Sequence, residues 1–415
     1  MRFICMECGC EASGSGQALY RCECGGLLDT VLDDRGLDAD RLKRLFDVRL
    51  SERNTPLSGG VWRYKELIHP ELPMDSIVTK NEGNTGLYEH ADLREYAGTR
   101  RLWLKAQSEN PSGSFKDNGM TVAVSHGLWL GYSRFACTST GNTSSSMAMY
   151  AALAGAEAVV YLPDQGVSLS KVLQTEAYGA QLVRIEGGYD AGIRYLEEHA
   201  EAMRLYVCNS LNPLRIEGQK SIAFELAHQL DWRMPDWIVL PGGALSNAAA
   251  MGKGLDELKR IGLIASVPRI AIVQAEGAAP FHRMLLNRES SLRPVDQPAT
   301  IASALHIGNP PNWPKALRYA IERARGVTVS VSDRDILEAK ARIDRSGIGC
   351  EPASAAALAG LRRLVADGTI HPEETAACLL TGHLLKDPEA IALSLSLWKD
   401  SKQTVQPAPR PLEPD

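Results

Sequence analysis

Residues 101–130 read RLWLKAQSENPSGSFKDNGMTVAVSHGLWL. The apolar run Arg101–Ala106 gives way to a loop of small residues, and the loop to a helical pattern over Ser114–Leu130. A strand, a short loop and a helix of this length form the unit from which parallel sheets are built. The unit recurs along the chain. Further strands are predicted at Phe135–Thr138, Val159–Leu162, Leu182–Ile185, Leu205–Cys208, Trp237–Leu240, Ile270–Gln274, Val327–Val331 and Ala377–Leu380. Helices are predicted among them at Thr143–Ala154, Leu169–Tyr178, Ile216–Leu230, Asn247–Ile261 and Ser354–Ala366. The expected fold class is α/β with parallel-rich sheets.

In such sheets ligands bind beyond the carboxyl ends of the strands, so the loops that follow strands carry the chemistry. NPSGSFKD at 110–117 sets Lys116 on the first turn of a helix. There the helix dipole opposes an ammonium and favours a neutral amine, which can form an imine with a carbonyl. The plainer reading is a surface lysine. STGNTSSS at 139–146 offers hydroxyls, an amide and backbone N–H groups at a helix start, an anion site suited to a carboxylate, or an ordinary N-cap. PGGALSN at 241–247 suits a phosphate above a helix N-terminus, or is a tight turn. It is not a nucleoside-triphosphate loop, because Lys253 lacks a glycine six residues earlier and is followed by Gly254. LTGH at 380–383 presents the Thr381 hydroxyl, able to donate or accept, or merely turns the chain. The Pro-, Asn- and Arg-rich segment 278–314 is expected to pack over one face.

Composition narrows the class. The 415 residues are 44% hydrophobic and 23% charged, the balance of a soluble globular chain long enough for two or three domains. Lys+Arg 45 against Asp+Glu 50 gives a net charge of -5 without a basic stripe, which argues against a nucleic-acid binder. No apolar run approaches the ~18 residues that span a bilayer. MRFICMECGC has no signal-peptide pattern, so a cytoplasmic enzyme is expected, away from membranes.

Of nine cysteines, five crowd the first 24 residues: Cys5, Cys8, Cys10, Cys22 and Cys24. Two close pairs, Cys5-x2-Cys8 and Cys22-x-Cys24, bracket a hairpin-like segment and suit tetrahedral zinc. The single residue between Cys22 and Cys24 departs from the usual spacing, and Cys10 is an alternative ligand. A metal-free remnant of such a ribbon is the other reading. Cys137, Cys208 and Cys378 fall in apolar runs and read as small core hydrophobes.

Taken together, NEGNT at 81–85, NPSGSFKD, STGNTS at 139–144, NSLNPLRIEGQK at 209–220, QAEGAAP at 274–280, IGNP at 307–310, EPASAA at 351–356 and LTGH resemble the threonine synthase family. These are pyridoxal-phosphate enzymes of fold type II, the tryptophan synthase β-like group. The resemblance implies two three-layer α/β domains and a small cysteine ribbon. The ribbon would cover 1–30, a large cofactor-binding domain 31–130 with 211–405, a small domain 131–210, and a flexible tail 406–415. It also implies a cytoplasmic homodimer that converts O-phospho-L-homoserine and water to L-threonine and phosphate.

Carried over position by position, Lys116 is the Schiff-base lysine, Asn142 bonds the cofactor's 3′-oxygen and Thr381 its ring nitrogen. Gly242, Gly243, Ala244, Leu245, Ser246 and Asn247 cradle its phosphate. Ser139, Thr140 and the backbone near Asn142 meet the substrate carboxylate; Thr143, Asn209, Ser210 and Arg215 meet the substrate phosphate. Cys5, Cys8, Cys22 and Cys24 are the candidate zinc ligands. Asn118, Ala244, Ser246, His306 and Leu384 depart from the family's usual residues. They leave room for a related fold-type II lyase, cysteate synthase-like or dehydratase-like, acting on another amino acid. A binding protein whose enzyme-like body has lost activity is the rival from another class.

Overall fold

The computed structural model describes residues 1–12, 16–139, 141–163, 169–186 and 189–401. The expected tail and Thr140 lie outside them. Thirteen strands follow in chain order: β1 (Arg2–Cys5), β2 (Glu11–Ala12), β3 (Leu28–Val31), β4 (Leu87–Tyr88), β5 (Arg101–Lys105), β6 (Arg134–Thr138), β7 (Glu157–Pro163), β8 (Gln181–Ile185), β9 (Tyr206–Val207), β10 (Trp237–Pro241), β11 (Arg269–Ala275), β12 (Val327–Val331) and β13 (Thr375–Leu379). They form three sheets. β2-β1-β3 is a small antiparallel ribbon. β12-β11-β10-β13-β5-β4 is parallel except for the edge strand β4, and β8-β7-β6-β9 is parallel throughout.

Strands such as WIVLP, and the IAIV stretch of RIAIVQA, are continuously apolar because both faces of the sheet are covered. Alternate residues feed two separate cores. Ile238, Leu240, Ile270 and Ile272 pack with Trp62, Phe46 and Phe224 on one side. Trp237, Val239, Ala271 and Val273 pack with Leu358 and Leu361 on the other. The four-stranded sheet repeats the pattern, with Phe135, Cys137 and Val160 on one face and Ala136, Val159 and Tyr161 on the other. Each is a three-layer α/β arrangement. The cysteines in these strands, Cys137 and Cys378, are fully buried, and so is Cys208.

The predicted helix Ile216–Leu230 is instead two, Pro213–Gln219 and Ser221–Gln229. At the join, Ser221 Oγ donates to the Gly218 carbonyl at 2.7 Å and so competes with the helical ladder. Gly218 also lies against the Lys116–Trp129 helix. A Cβ there would meet the Asn118 carbonyl oxygen at 2.0 Å, and one on Gly119 would meet the Arg215 carbonyl oxygen at 2.6 Å. Two facing glycines thus let these helices touch backbone to backbone. Among the described residues no helix is long and apolar enough to cross a membrane.

Candidate active site

The loops after β5, β6, β9, β10 and β13 meet around a cavity of about 750 Å³. Lys116, Ser139, Asn142, Thr143, Asn209, Ser210, Thr381 and the loop from Gly243 to Asn247 all line it.

Lys116 opens its helix without a side-chain cap, and the preceding loop is fastened by Asp117 instead. The Asp117 carboxylate accepts from Ser112 N and Ser112 Oγ at 2.6 Å each, and from Ser146 Oγ at 2.5 Å. The loop's other side is tied to the segment after β13 that carries Thr381, since Phe115 N donates to Thr381 O at 3.0 Å and His383 N to Gly113 O at 2.9 Å. Lys116 and Thr381 are neighbours for that reason. Burial is the largest influence on the Lys116 amine, followed by the positive charge of Arg215, and together they bring its pKa down to about 7. Glu351 works in the opposite direction, and Lys171 adds to the lowering. Desolvation and a neighbouring guanidinium are what lower the amine's pKa.

The loop after β10 divides in two. Gly243 to Asn247 face the cavity, with Leu245 at φ 63°, a left-handed turn that aims the first N–H groups of the Ser246–Ile261 helix upward. A Cβ on Gly243 would meet the Ala304 carbonyl oxygen at 2.5 Å, so the glycine admits the 303–309 segment as the cavity's cover. Gly242 is set back from the cavity. Its N–H donates to Val273 O at 2.7 Å and its carbonyl accepts from Gln274 Nε2 at 2.9 Å. It extends the β10–β11 ladder with its N–H engaged there, which sets it apart from Gly243 to Asn247 in the expected phosphate cradle.

Arg215 is also not part of the wall. It is fully buried beneath it, and its Nη1 donates to Cys208 O at 2.9 Å. Its charge reaches the site electrostatically, through Lys116. Asn209 pairs with the end of β6, accepting from Thr138 N at 3.1 Å and donating to Thr138 O at 2.9 Å. Asn118 does not line the cavity; its amide donates to Ser221 Oγ at 2.9 Å, so this departure from the family acts at a helix contact. Ala244, Ser246 and His306 do line it, whereas Leu384 packs near Gly349.

Glu351 and Lys171, among other lining residues, receive no role from the sequence. Glu351, the N-cap residue of the Pro352–Ala366 helix, accepts from Asn142 Nδ2 at 2.9 Å. Lys171, on the Leu169–Ala177 helix, donates to Glu351 Oε2 at 3.1 Å and Ser303 Oγ at 3.0 Å. Glu351 needs Gly382 opposite it, where a Cβ would come within 2.3 Å of Oε1. Thr381 Oγ1 shares a hydrogen bond of 3.1 Å with Ser354 Oγ and faces no carboxylate through it.

At the ribbon, the sulfur atoms of Cys5, Cys8, Cys22 and Cys24 lie within 4.8 Å of one another, with 3.4 Å between Cys5 and Cys24 and 3.7 Å between Cys8 and Cys22. Four thiolates around zinc stand about 3.8 Å apart, from a Zn–S bond near 2.3 Å. Cys10 is not in the group. Gly26 makes the one-residue spacing workable, because a Cβ there would sit 2.7 Å from Cys5 Sγ.

The sequence pattern of the pyridoxal-phosphate dependent enzyme family matches residues 78–382. The chain is 42% identical to a threonine synthase of Methanosarcina acetivorans over 93% of its own length and 92% of the relative's. It is 33% identical to the chloroplastic threonine synthase 2 of Arabidopsis thaliana, over 91% and 75%. The solved threonine synthase from Escherichia coli superimposes with a TM-score of 0.72 over 95% of this chain and 91% of that one, at 19% identity. Maize serine racemase gives 0.65 over 83% and 98%, at 16%. At those identities the likeness is one of fold.

Proposed function

The chain belongs to the pyridoxal-phosphate-dependent enzymes, among their threonine synthases, and from that premise we propose which residues carry out its reaction. It is a lyase that converts O-phospho-L-homoserine and water to L-threonine and phosphate. The observation that carries the assignment of residues is Lys116, a cavity lysine whose amine is held near neutrality.

The residues present fit the cofactor. Among the described residues, both polar atoms of the buried Asn247 amide and the Ser210 hydroxyl find no partner, as befits groups meant for phosphate oxygens. When bound, pyridoxal phosphate supplies a conjugated ring that takes up electron density from the substrate's α-carbon. Lys116 would hold the cofactor through its side-chain amine. When free, an amine with a pKa near 7 is suited to take and return protons at the substrate's Cα and Cβ. Asn142, its amide oriented by Glu351, would serve the cofactor's 3′-oxygen, and Thr381, a neutral hydroxyl beside Ser354, would serve its ring nitrogen. Gly243, Ala244, Leu245, Ser246 and Asn247 hold the cofactor phosphate. Ser139, Thr140 and the Asn142 backbone take the substrate carboxylate.

Thr143, Asn209 and Ser210 take the substrate phosphate, with Arg215 behind them as the compensating charge. Residues of the 294–309 segment line one side of the cavity. We also read the four-cysteine cluster as a structural zinc site. The six- and four-stranded sheets support a division into large and small domains, and a cytoplasmic homodimer follows from the family resemblance. The reaction is tested by supplying phosphohomoserine and measuring phosphate and threonine in equal amounts. Release of phosphate without threonine, or turnover of phosphoserine in its place, would assign the cavity to another lyase.

A further inference from the structure

The ribbon is remote from the chemistry, yet its third strand is bonded into the helices behind both anion loops. Asp29 on β3 is 4% exposed. Its carboxylate accepts from Lys253 Nζ at 2.8 Å and from Tyr319 OH at 2.6 Å. Lys253 also donates to Thr30 Oγ1 at 2.8 Å and to Glu217 Oε1 at 2.6 Å. Glu217 then pairs with Lys220, and Lys220 with Glu257, at 2.6 and 2.7 Å. Glu217 lies two residues after Arg215 on the short Pro213–Gln219 helix, and Lys253 lies on the helix that begins at the phosphate loop.

A second route leaves the same strand. Lys315 Nζ donates to Leu28 O at 2.5 Å. Lys315 sits on the Trp313–Ala316 helix, whose N-cap Asn312 donates from Nδ2 to Ser210 O at 3.0 Å and from its backbone N to Ala244 O at 3.4 Å. Tyr319 belongs to a π-helical stretch, Leu317–Arg323, an irregularity that often marks a functional position. Three buried lysines, Lys253, Lys315 and Lys220, thus face three buried carboxylates, Asp29, Glu217 and Glu257. Packing alone favours apolar side chains at such a contact, because buried ion pairs gain little over them. What charges add is a fixed register.

We propose that Asp29 is a positioning residue for the substrate phosphate: it sets Lys253 and Glu217, and with them the helix of Arg215 and the neighbouring Ser210 loop. The proposal rests on the reading of Asn209, Ser210 and Arg215 as the substrate-phosphate region. It gives the cysteine ribbon a task in the reaction, that of a buttress for anion binding.

The test uses the full-length, cofactor-loaded protein with phosphohomoserine as substrate and inorganic phosphate as inhibitor. Asp29→Asn should raise KM for phosphohomoserine and the inhibition constant of phosphate together, by about tenfold, with kcat within about threefold of native and the cofactor absorbance unchanged. A purely structural role lowers the melting temperature and leaves both constants native; that result overturns the proposal. If Asp29→Asn yields no folded protein, Tyr319→Phe carries the test, since it keeps the carboxylate and removes one donor. A rise of about threefold in both constants supports the proposal, and native constants overturn it. Arg215→Ala separates this proposal from its premise. Loss of phosphate inhibition there, with none in Asp29→Asn, sinks the role of Asp29 alone. Native phosphate inhibition in Arg215→Ala sinks the phosphate-region reading and the role of Asp29 with it.

Discussion

Asn142 and Glu351, distant in sequence, meet across the cavity, where the Asn142 amide donates to both oxygens of the Glu351 carboxylate at 2.9 and 3.2 Å. One stands at the start of a helix behind the four-stranded sheet, the other at the cap of a helix behind the six-stranded sheet. Lys171 closes the group on the same carboxylate. Glu351 therefore orients an amide and is the negative charge that tempers the Lys116 amine.

That balance makes a pH prediction with a definite sign. In cofactor-free protein the neutral form of Lys116 reacts with aldehydes, so its modification rate should rise with pH through about 7, against 10.5 for an ordinary lysine. Glu351→Gln removes the group that favours the ammonium, so the midpoint should fall below the native one. Arg215→Ala removes a cation, so the midpoint should rise. Stopped-flow measurement with a small aldehyde checks all three. Midpoints that stay together across the variants would show that these charges do not act on Lys116.

Arg215 is buried beneath the wall, so its loss should be felt by the substrate more than by the cofactor. A buried positive charge behind a bound phosphate, acting through an effective dielectric of about 20 and not by contact, is worth about 2–4 kcal/mol. Arg215→Ala should therefore lower kcat/KM for phosphohomoserine by roughly 30- to 1000-fold. The cofactor absorbance should persist, because its phosphate is assigned to Gly243 through Asn247. A loss below about threefold would place the substrate phosphate elsewhere.

The ribbon should hold about one zinc per chain when the protein is purified without chelator under reducing conditions. Removing the metal should lower the melting temperature, since the cluster joins the ends of β1 and β3 around Gly26. Elemental analysis that finds no zinc in reduced, chelator-free protein would leave the four thiols as a metal-free hairpin.

Much of the fold was legible because sheets covered on both faces leave apolar runs such as Trp237–Leu240, and each of the nine predicted strands has a counterpart. Helices with exposed faces were harder. The Asp333–Arg345 helix was passed over, although Ser332 and Asp335 form a capping box that announces its start. In the site, residues next to a strand end could be proposed from order alone. Glu351 and Lys171 could not be paired, because their meeting is wholly tertiary and each sits in an ordinary helical context. The glycine pair at 242–243 shows the same limit. Only the pairing of β10 with β11 reveals that Gly242 spends its N–H in the sheet while Gly243 admits the covering segment. Asp29 had no local signal, since its partners come from helices more than 200 residues downstream.

Among the described residues two lysines line the cavity, Lys116 and Lys171, and only one of them is expected to hold the cofactor. Borohydride reduction of the cofactor-loaded protein, followed by proteolysis and mass analysis, locates the amine that holds the cofactor. The pyridoxyl mass is expected on Lys116, and it should disappear, together with the visible absorbance, in a folded Lys116→Ala protein. The mass on Lys171, or on any other lysine of the native chain, would contradict that expectation.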